Sequence, residues 1–456
     1  MRWRLLTLFL AITAGLAIVQ FEPPKVVTSH AGFVATRAAI ICPDSARGAT
    51  VVLGGQGTQL SPIGKLAKGV KELALTTSKD VTSARISSVA HLVENSVGGA
   101  TQIDTAAGLS GLACPTVDPS YWFVGGSAAL SGQDRLVLVN AGHGDAAATV
   151  LAWSDKGPVP AYPVVVPAQT SIRVGLDSIA PGVNAIVLHV LIRSGRVAAS
   201  LYDQRSQGLT NLGADFVPSG IEPAKRFVML GVPGINPPLK SSAKPLSSKI
   251  TSETRVLRLL APMNAASVRV DVVGPGDSFT PLGLDKIELV AGRVRDIPIT
   301  TNLPALAYAF VVTADSPVVA GVFSSVIAGK GSDIAWTASA PSLSLGAASA
   351  DIHGTTYLFY SHAAVSVSVT RIRVGAIPIT STLAIPAETV VVLPPGNSSN
   401  LGNGATSIRI GENVGVVYAA RLLRSINGIT TSPLRPISVA GRSSMPIADV
   451  GVGMPR

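Results

Sequence analysis

The sequence predicts an all-β protein built from tandem antiparallel β-sandwiches, immunoglobulin-like or fibronectin-like, that follow an N-terminal export segment. Three observations predict this class. Hydrophobic residues make up 47 % of the 456 residues and aromatic residues only 5 %, as in a β-rich chain with small side chains on both sheet faces. Turn residues recur roughly every 8–12 positions, the spacing of strands in a sandwich. One strand–turn–strand stretch also occurs three times.

The recurring stretch is a hairpin found at residues 164–174, 287–297 and 383–393. Each copy has an apolar strand, a turn and a second strand. Pro167 and Pro386 suit the turn because the proline ring holds φ near the value that the second turn position requires. One turn position is occupied by Gln169, Gly292 or Glu388. Since a shared chemical role would not tolerate that spread, we interpret the hairpin as a repeated structural corner.

Taken in order, the chain divides into five predicted segments. They are an export segment (1–20), an irregular β-rich N-terminal region (26–114) and three sandwich repeats (115–221, 222–345 and 352–440). Each repeat contains six or seven short apolar stretches bounded by turn residues, which is enough for one sandwich. The alternative is a smaller number of larger sheets that mix strands from different repeats.

Residues 1–20 resemble an export signal. Arg2 and Arg4 precede an apolar run from Leu5 to Val19, which has the length of a signal-peptide core and is short for a membrane-spanning helix of about 20 residues. The segment is therefore expected to be a cleaved signal peptide or an uncleaved membrane anchor. Both alternatives predict an extracytoplasmic protein, secreted or anchored to the cell membrane by this segment.

Cys42 and Cys114 are the two cysteines of the chain. Two cysteines in an exported chain most often pair, and no histidine lies at metal-ligand spacing from either one. We therefore predict a disulfide, which would contribute roughly 4 kcal/mol in the chain-entropy model.

The charge balance is basic, with 36 Lys and Arg against 26 Asp and Glu. The basic residues are spread along the chain without the dense face and aromatic platforms of a nucleic-acid binder. A solvated surface is the plain interpretation, and attraction to anionic envelope polymers or lipid head groups is the alternative. The Pro/Ser-rich segment 233–249 contains Lys240, Lys244 and Lys249, which are candidate ligand contacts if this insertion is a binding loop rather than a tolerated one.

No catalytic constellation is present in the sequence. The serine-hydrolase elbow, the zinc-protease motif, Cys-x-x-Cys and the phosphate loop are all missing, so we predict no enzyme activity, catalytic residue, cofactor or metal. Asp215 and Asp333 hold similar places in two repeats. Paired carboxylates hydrolyse glycosides only within one cleft, so these two are expected to accept turn hydrogen bonds. His353 and His362 could approach each other but lack a carboxylate to complete a metal site.

Tryptophans are the remaining candidates for ligand contact, because sugar-binding modules present exposed aromatic rings. Trp122 lies at an aromatic strand start and is expected in the core. Trp153 precedes a turn and Trp336 lies near a loop. We take Trp153 and Trp336 as candidate ligand contacts on an exposed surface.

Several short motifs resemble a known family. Tyr121 to Gly126, which follow Cys114-Pro115, and the segments 213–216, 318–321 and 335–336 are similar to a family of exported actinobacterial proteins of unknown function. The resemblance spans most of the chain after the export segment. It implies an envelope location and supplies no catalytic residue.

The sequence therefore predicts a non-catalytic cell-envelope protein that acts as an extracytoplasmic scaffold or interaction module. Its expected partners are an envelope protein or a cell-wall glycan, with membrane contact through the N-terminal segment and no nucleic acid. The alternative is an accessory protein that binds a glycan or cell-wall polymer. A hydrolase is a third hypothesis, and it depends on the unexplained region 26–114.

Overall fold

A computed structural model describes most of the chain. The described residues are 33–36, 39–45, 49–54, 58–64, 76–77, 81–86, 89–94, 99–129, 132–234, 251–328, 331–343, 346–352, 354–373, 377–395, 405–410, 415–425, 428–436 and 441–444. They hold 34 strands, β1 to β34, and one four-residue helix. All strand pairs are antiparallel, which confirms the predicted fold class. β1 (Phe33–Thr36) pairs with the last strand and is described with it below.

The N-terminal sandwich contains eight strands in two sheets. One sheet has the order β2-β7-β4 and the other β5-β6-β3-β8-β9. Its strands are β2 (Ile40–Cys42), β3 (Ala49–Gly54), β4 (Gln59–Ile63), β5 (Thr76–Thr77), β6 (Val81–Ile86), β7 (Ala90–Glu94), β8 (Ala100–Asp104) and β9 (Ser110–Ala113). The predicted disulfide between Cys42 and Cys114 is confirmed, and it lies buried in the core between the two sheets.

The first sandwich corresponds to the first sequence repeat. Its sheets have the orders β10-β15-β12-β13 and β14-β11-β16-β17. The elements are β10 (Ser120–Phe123), β11 (Arg135–Asn140), β12 (Ala146–Ser154), β13 (Gly157–Val166), β14 (Thr170–Gly175), α1 (Leu176–Ile179), β15 (Val187–Ser194), β16 (Val197–Gln207) and β17 (Thr210–Val217). Alternate buried residues of β12 face the core, as period-two patterning requires.

The second sandwich repeats this plan with one fused strand. The 22-residue β24 runs through both sheets, pairing with β18 and β20 in its first half and with β19 and β25 in its second. The strands are β18 (Ala224–Pro233), β19 (Thr251–Leu260), β20 (Ala266–Val273), β21 (Ser278–Phe279), β22 (Ile287–Leu289), β23 (Val294–Pro298), β24 (Ala307–Ala328) and β25 (Gly331–Ala340).

The third sandwich has sheets β26-β31-β28-β29 and β30-β27-β32-β33. Its strands are β26 (Ala347–Ile352), β27 (Thr356–Ser361), β28 (Val365–Arg373), β29 (Ile379–Ile385), β30 (Val391–Leu393), β31 (Ala405–Ile410), β32 (Val417–Ser425) and β33 (Gly428–Pro433). Beyond it, β34 (Gly441–Ser444) pairs with β1 inside a separate unit formed by Met1–Arg37 and Val439–Arg456.

All four sandwiches share one topology. If the strands of a sandwich are numbered one to eight in chain order, the sheets read 1-6-3-4 and 5-2-7-8. In the second sandwich, β21 and β22 together count as strand four, and the two halves of β24 count as strands six and seven. The described part of the N-terminal sandwich follows this order without a fourth strand and with the short β5 added beside strand five. Strands two and five pair as strands B and E of an immunoglobulin domain do, and strands three and six pair as its strands C and F do. Strands one and seven differ, because each lies in the sheet that its counterpart does not occupy in an immunoglobulin domain. The described residues between 39 and 114, irregular in sequence, thus form a fourth copy of the unit.

The four sandwiches close into a ring. The outer face of each 1-6-3-4 sheet packs on the 5-2-7-8 sheet of the next sandwich, and the third packs back on the N-terminal one. Successive junctions bury Ile41 with Val137, Val124 with Val319, Leu230 with Leu358, and Ala350 with Val52. Such head-to-tail contacts form a ring when the rotation closes. Because both faces of these sheets are buried at the junctions, the chain needs few charged residues, which explains the 14 % charged share.

Candidate functional site

The centre of the ring is formed by the eighth strand of each sandwich. These axial strands, β9, β17, β25 and β33, contact one another in sequence and β33 contacts β9. Four consecutive residues in or directly before each strand line the meeting point, at 108–111, 213–216, 333–336 and 428–431. We call this meeting point the axial junction.

Asp333 joins all four sandwiches at the axial junction. Its Oδ2 accepts hydrogen bonds from the N–H of Leu109 (3.2 Å) and Ile429 (3.1 Å), and its Oδ1 accepts one from the N–H of Ala214 (3.3 Å). The N–H of Ile334 adds a fourth donor. The three longer-range donors come from the N-terminal, third and first sandwiches, so one carboxylate holds the ends of three neighbouring modules.

Glycines make room for this carboxylate. Gly108, Gly213 and Gly428 each precede one of the three donors, and a Cβ on any of them would clash with Asp333. All three have positive φ, from +116° to +150°, which side-chain-bearing residues rarely adopt. Asp333 occupies the equivalent position in its own strand, so one aspartate and three glycines form a single layer.

Asp215 forms the next layer along the axis. Its carboxylate accepts hydrogen bonds from the N–H of Gly111 (3.2 Å), the N–H of Trp336 (3.1 Å) and the hydroxyl of Thr430 (2.9 Å). These donors again belong to the three other sandwiches. Asp215 therefore lies two positions beyond the level of Asp333, and the two do not hold the equivalent places that their local sequences suggested. Their partners also lie across the ring rather than in local turns.

Burial controls the electrostatics of both aspartates, which have no exposed surface. Burial raises the pKa of Asp333 to about 7, while its four N–H donors oppose the rise by stabilising the carboxylate. Burial also raises the pKa of Asp215 well above its ordinary value, and the nearby charge of Asp333 adds to that rise. Groups with perturbed pKa values often mark active sites, but structural networks perturb pKa values as well. Here every donor is a group of the protein.

A charged network continues the axial junction between the first and second sandwiches. The indole N–H of Trp336 donates to Asp203 (2.8 Å), which is paired with Arg205 (3.0 Å). Arg258 reaches across from β19, pairs with Asp296 (2.8 Å) and donates to two backbone oxygens of the first sandwich. Because these buried polar groups have partners, the network avoids the penalty of unsatisfied buried charge.

Asp134 lies beside this network. Burial raises its pKa to about 9, and the proximity of Asp203 contributes to the rise. Its carboxylate accepts hydrogen bonds from the N–H groups of Ser127 and Gln204. Asp134 therefore tethers two segments of the first sandwich at the edge of the axial junction.

The tryptophans predicted as ligand contacts lie between sandwiches. Trp336 is only 1 % exposed and packs in the axial junction, so the prediction of an exposed ring at this position is wrong. Trp153 is half-buried and stacks on Trp122 with ring centroids 5.5 Å apart, at the junction with the second sandwich. Trp122 stacks in turn on His189 at 4.0 Å. Lys240, Lys244 and Lys249 lie outside the described residues.

The repeated corner has one backbone conformation in its three copies. Gln169, Gly292 and Glu388 have φ of 52°, 70° and 50°, all in the left-handed region. Each corner faces the preceding sandwich: the backbone of Gln169 lies by Gly64, Gly292 lies by Trp153, and Glu388 lies 3.9 Å from Arg226. The corner is thus a structural contact between neighbouring sandwiches. This agrees with the sequence, in which three different residues occupy the same corner position.

Glu388 forms the most polar of these contacts. It accepts a hydrogen bond from the hydroxyl of Tyr360 and lies 3.0 Å from Nδ1 of His362. Arg226 of the second sandwich approaches the same imidazole nitrogen at 3.2 Å. The charges of this corner link the second and third sandwiches. His353, which was expected to approach His362, lies outside the described residues.

Two structural searches bear on metal and membrane sites. Among the described residues, no group of three or more His, Cys, Asp or Glu side chains is arranged to hold a metal ion. Within the same part of the chain, no helix has the length and apolar character needed to cross a membrane.

Comparisons with known proteins identify a family without a known activity. The model of a family of unknown function (DUF5719) matches residues 73–396. No curated protein matches the chain. A crystal structure of the tetra-tandem repeat in the extending region of a large adhesion protein aligns with 88 % of this chain and 95 % of its own, at 12 % identity and a TM-score of 0.10. A score this low carries no argument about fold or function.

Proposed function

We propose that this chain, which belongs to the DUF5719 family of unknown function, is a non-catalytic extracytoplasmic scaffold or interaction module of the cell envelope. One observation carries the proposal: the buried carboxylates of the axial junction accept hydrogen bonds from groups of their own protein. Asp333 and Asp215 each join three other sandwiches and are closed to solvent. Their hydrogen bonds hold the four sandwiches in a ring of fixed geometry. The outward loops and strand edges of this ring can present a binding surface to a partner.

Two features support the extracytoplasmic location. The disulfide between Cys42 and Cys114 suits an oxidising compartment. The apolar run from Leu5 to Val19 after Arg2 and Arg4 has the pattern of an export segment. Secretion and membrane anchoring are both compatible with these features.

Binding to a glycan or cell-wall polymer is the second candidate, and one groove favours it. The groove has a volume of about 330 Å³ and is lined by Arg226, Arg269, Asp271, Thr280 and Glu388, with Phe279 beside them. Planar charged groups, a hydroxyl and an aromatic ring are the side chains that bind sugar hydroxyls and the apolar face of a sugar ring. The groove takes the place of the tryptophan platform expected from the sequence.

A retention experiment separates the two candidates. The full chain is incubated with insoluble cell-wall polysaccharide and, separately, with a defined set of purified envelope proteins. The scaffold proposal predicts retention by an envelope protein and none on polysaccharide. Retention on polysaccharide that falls several-fold in Arg269→Ala, but not in the distant control Lys156→Ala, would support the glycan candidate and contradict the scaffold proposal.

A turnover experiment addresses the hydrolase hypothesis. Wild type, Asp333→Asn and Asp215→Asn are incubated with cell-wall polysaccharide, and released reducing ends are measured. The scaffold proposal predicts no release by any of the three proteins. Release by the wild type that disappears in a variant shown to be folded would overturn it.

A further inference from the structure

In three of the four sandwiches, the outer edge beside the third or fourth strand contains prolines or an interruption that discourages pairing with another strand. Unpaired edges attract strands from other chains, and prolines or interruptions prevent this. Within the described residues, the edge strand β4 contains Pro62, and the fourth strand of the second sandwich is broken into β21 and β22. The edge strand β13 carries Pro158, Pro160 and Pro163.

The edge strand β29 of the third sandwich has none of these protections. It is seven residues long, from Ile379 to Ile385, and contains no proline, glycine or charged residue. It ends the order β26-β31-β28-β29, and among the described strands its partner is β28. Its first four residues are exposed, including Ile379 at 63 %, and Ile377, which Pro378 separates from the strand, is 86 % exposed. Pro378 and Pro386 flank the strand, outside the seven residues available for pairing. A long uncharged edge of this kind is suited to strand addition.

The residues of β29 on the core side are covered along only half of the strand. Ile379, Ser381, Leu383 and Ile385 share this side because side chains alternate along a strand. Ile385 is buried and Leu383 half-buried, whereas Ile379 and Ser381 are exposed. The apolar row therefore continues beyond the core that covers it.

We propose that β29 pairs with β29 of a second copy of this chain, antiparallel about a twofold axis at Thr382. In this register Ile379 lies opposite Ile385 of the second copy, and Ser381 lies opposite Leu383. The exposed half of each β29 strand then lies beside the buried half of the other strand. No like charges face each other because the strand is uncharged. Two four-stranded sheets become one eight-stranded sheet through an isologous contact.

This strand's self-complementarity distinguishes a second copy from other occupants. An antiparallel twofold pair of one sequence places position 382 + k opposite position 382 − k, which is the arrangement that matches Ile379 with Ile385. The inference goes beyond the proposed scaffold role and does not depend on it, because self-association is measured without any partner or substrate.

The first test is the mass of the full chain in solution by sedimentation equilibrium over a wide range of concentration. The chain of 46.5 kDa is expected to double its mass with increasing concentration. Thr382→Lys places two ammonium groups at the axis and is expected to abolish the dimer. Val165→Lys, at an exposed position of the proline-containing edge β13, is the matched control and should dimerise like wild type. A monomeric wild type at every concentration, or a Thr382→Lys dimer, would overturn the proposal.

The second test is the register. Residues opposite each other on paired strands have Cα atoms about 4.5–5.5 Å apart, within reach of a disulfide. Thr382→Cys is therefore expected to cross-link two copies under mild oxidation. Thr380→Cys lies four residues from its counterpart, roughly 13 Å away, and should stay uncross-linked. Equal cross-linking of both variants, or binding of a foreign extended peptide in place of the second copy, would count against the twofold pair.

Discussion

At the scale of single residues, the most informative group is the Asp333 carboxylate. Its oxygens accept hydrogen bonds from the N–H groups of Leu109, Ala214 and Ile429. The side-chain NH2 of an asparagine at this position would face at least one of these N–H donors and leave it without an acceptor. We expect Asp333→Asn to lower the free energy of unfolding by about 1–3 kcal/mol. The exposed Asp285 is the control, and Asp285→Asn should change it by less than about 0.5 kcal/mol. Urea unfolding measures both, and similar values for the two variants would contradict the role of Asp333.

The pH dependence of stability follows from the same residue. Burial raises the pKa of Asp333 to about 7 in the folded protein, so the folded state binds the proton more tightly than the unfolded state. Stability from this group is therefore full at pH below about 4 and falls as pH rises to about 7, by up to about 4 kcal/mol. Urea unfolding at several pH values should show this fall, and it should be reduced in Asp333→Asn. A stability that rises with pH in wild type relative to Asp333→Asn would refute it.

At the scale of elements, the repeated corner shows how one backbone conformation accepts three residues. Gly292 has φ of 70°, and a Cβ added to it would lie 3.7 Å from Pro158 and 3.9 Å from Trp153, its nearest neighbours among the described residues. Those distances are ordinary contacts, so backbone strain alone should determine the effect of substitution. We expect Gly292→Ala to cost about 1 kcal/mol, and Gly292→Asn less because asparagine tolerates this region.

The control for this corner is Gly276, which has no Cβ contact within 4 Å and no left-handed φ. Gly276→Ala should leave the free energy of unfolding nearly unchanged. Equal effects of Gly292→Ala and Gly292→Asn in urea unfolding would show that the left-handed conformation is not the cause.

At the scale of the whole molecule, the ring couples the four sandwiches. Each sandwich buries residues on both neighbours, as Val124 does with Val319 and Ala350 with Val52. Loss of one sandwich would expose two apolar faces, so the modules should unfold together. We expect one main transition for residues 38–438 in scanning calorimetry, with agreement between calorimetric and van't Hoff enthalpies. Two or more resolved transitions would indicate independent sandwiches.

Local patterns predicted the strands and the corner correctly because both depend on short-range features. Alternation and turn residues mark a strand such as β12, and the corner has a fixed spacing between its two apolar runs. The N-terminal sandwich could not be predicted because its strands are short, β2 having three residues, and its sequence contains no copy of the recurring hairpin.

The axial junction was beyond prediction for a different reason. A buried residue on the outer face of a sheet, such as Val137, has the same sequence signature as one on the inner face. Nothing local to Asp333 indicates that its partners are 119 and 224 residues away in the chain. The one available signal was the recurrence of glycine just before or within the eighth strand, at Gly108, Gly213 and Gly428.

Ring closure also determines how many copies of the module a gene can encode. A linear array of sandwiches can gain or lose one module by duplication or deletion, because each new module finds a free face. In this ring the third sandwich already occupies the face of the N-terminal one, so a fifth module has no place and three modules leave a gap. Variation in length is then confined to the connections between strands, such as the long connection between β18 and β19 of the second sandwich.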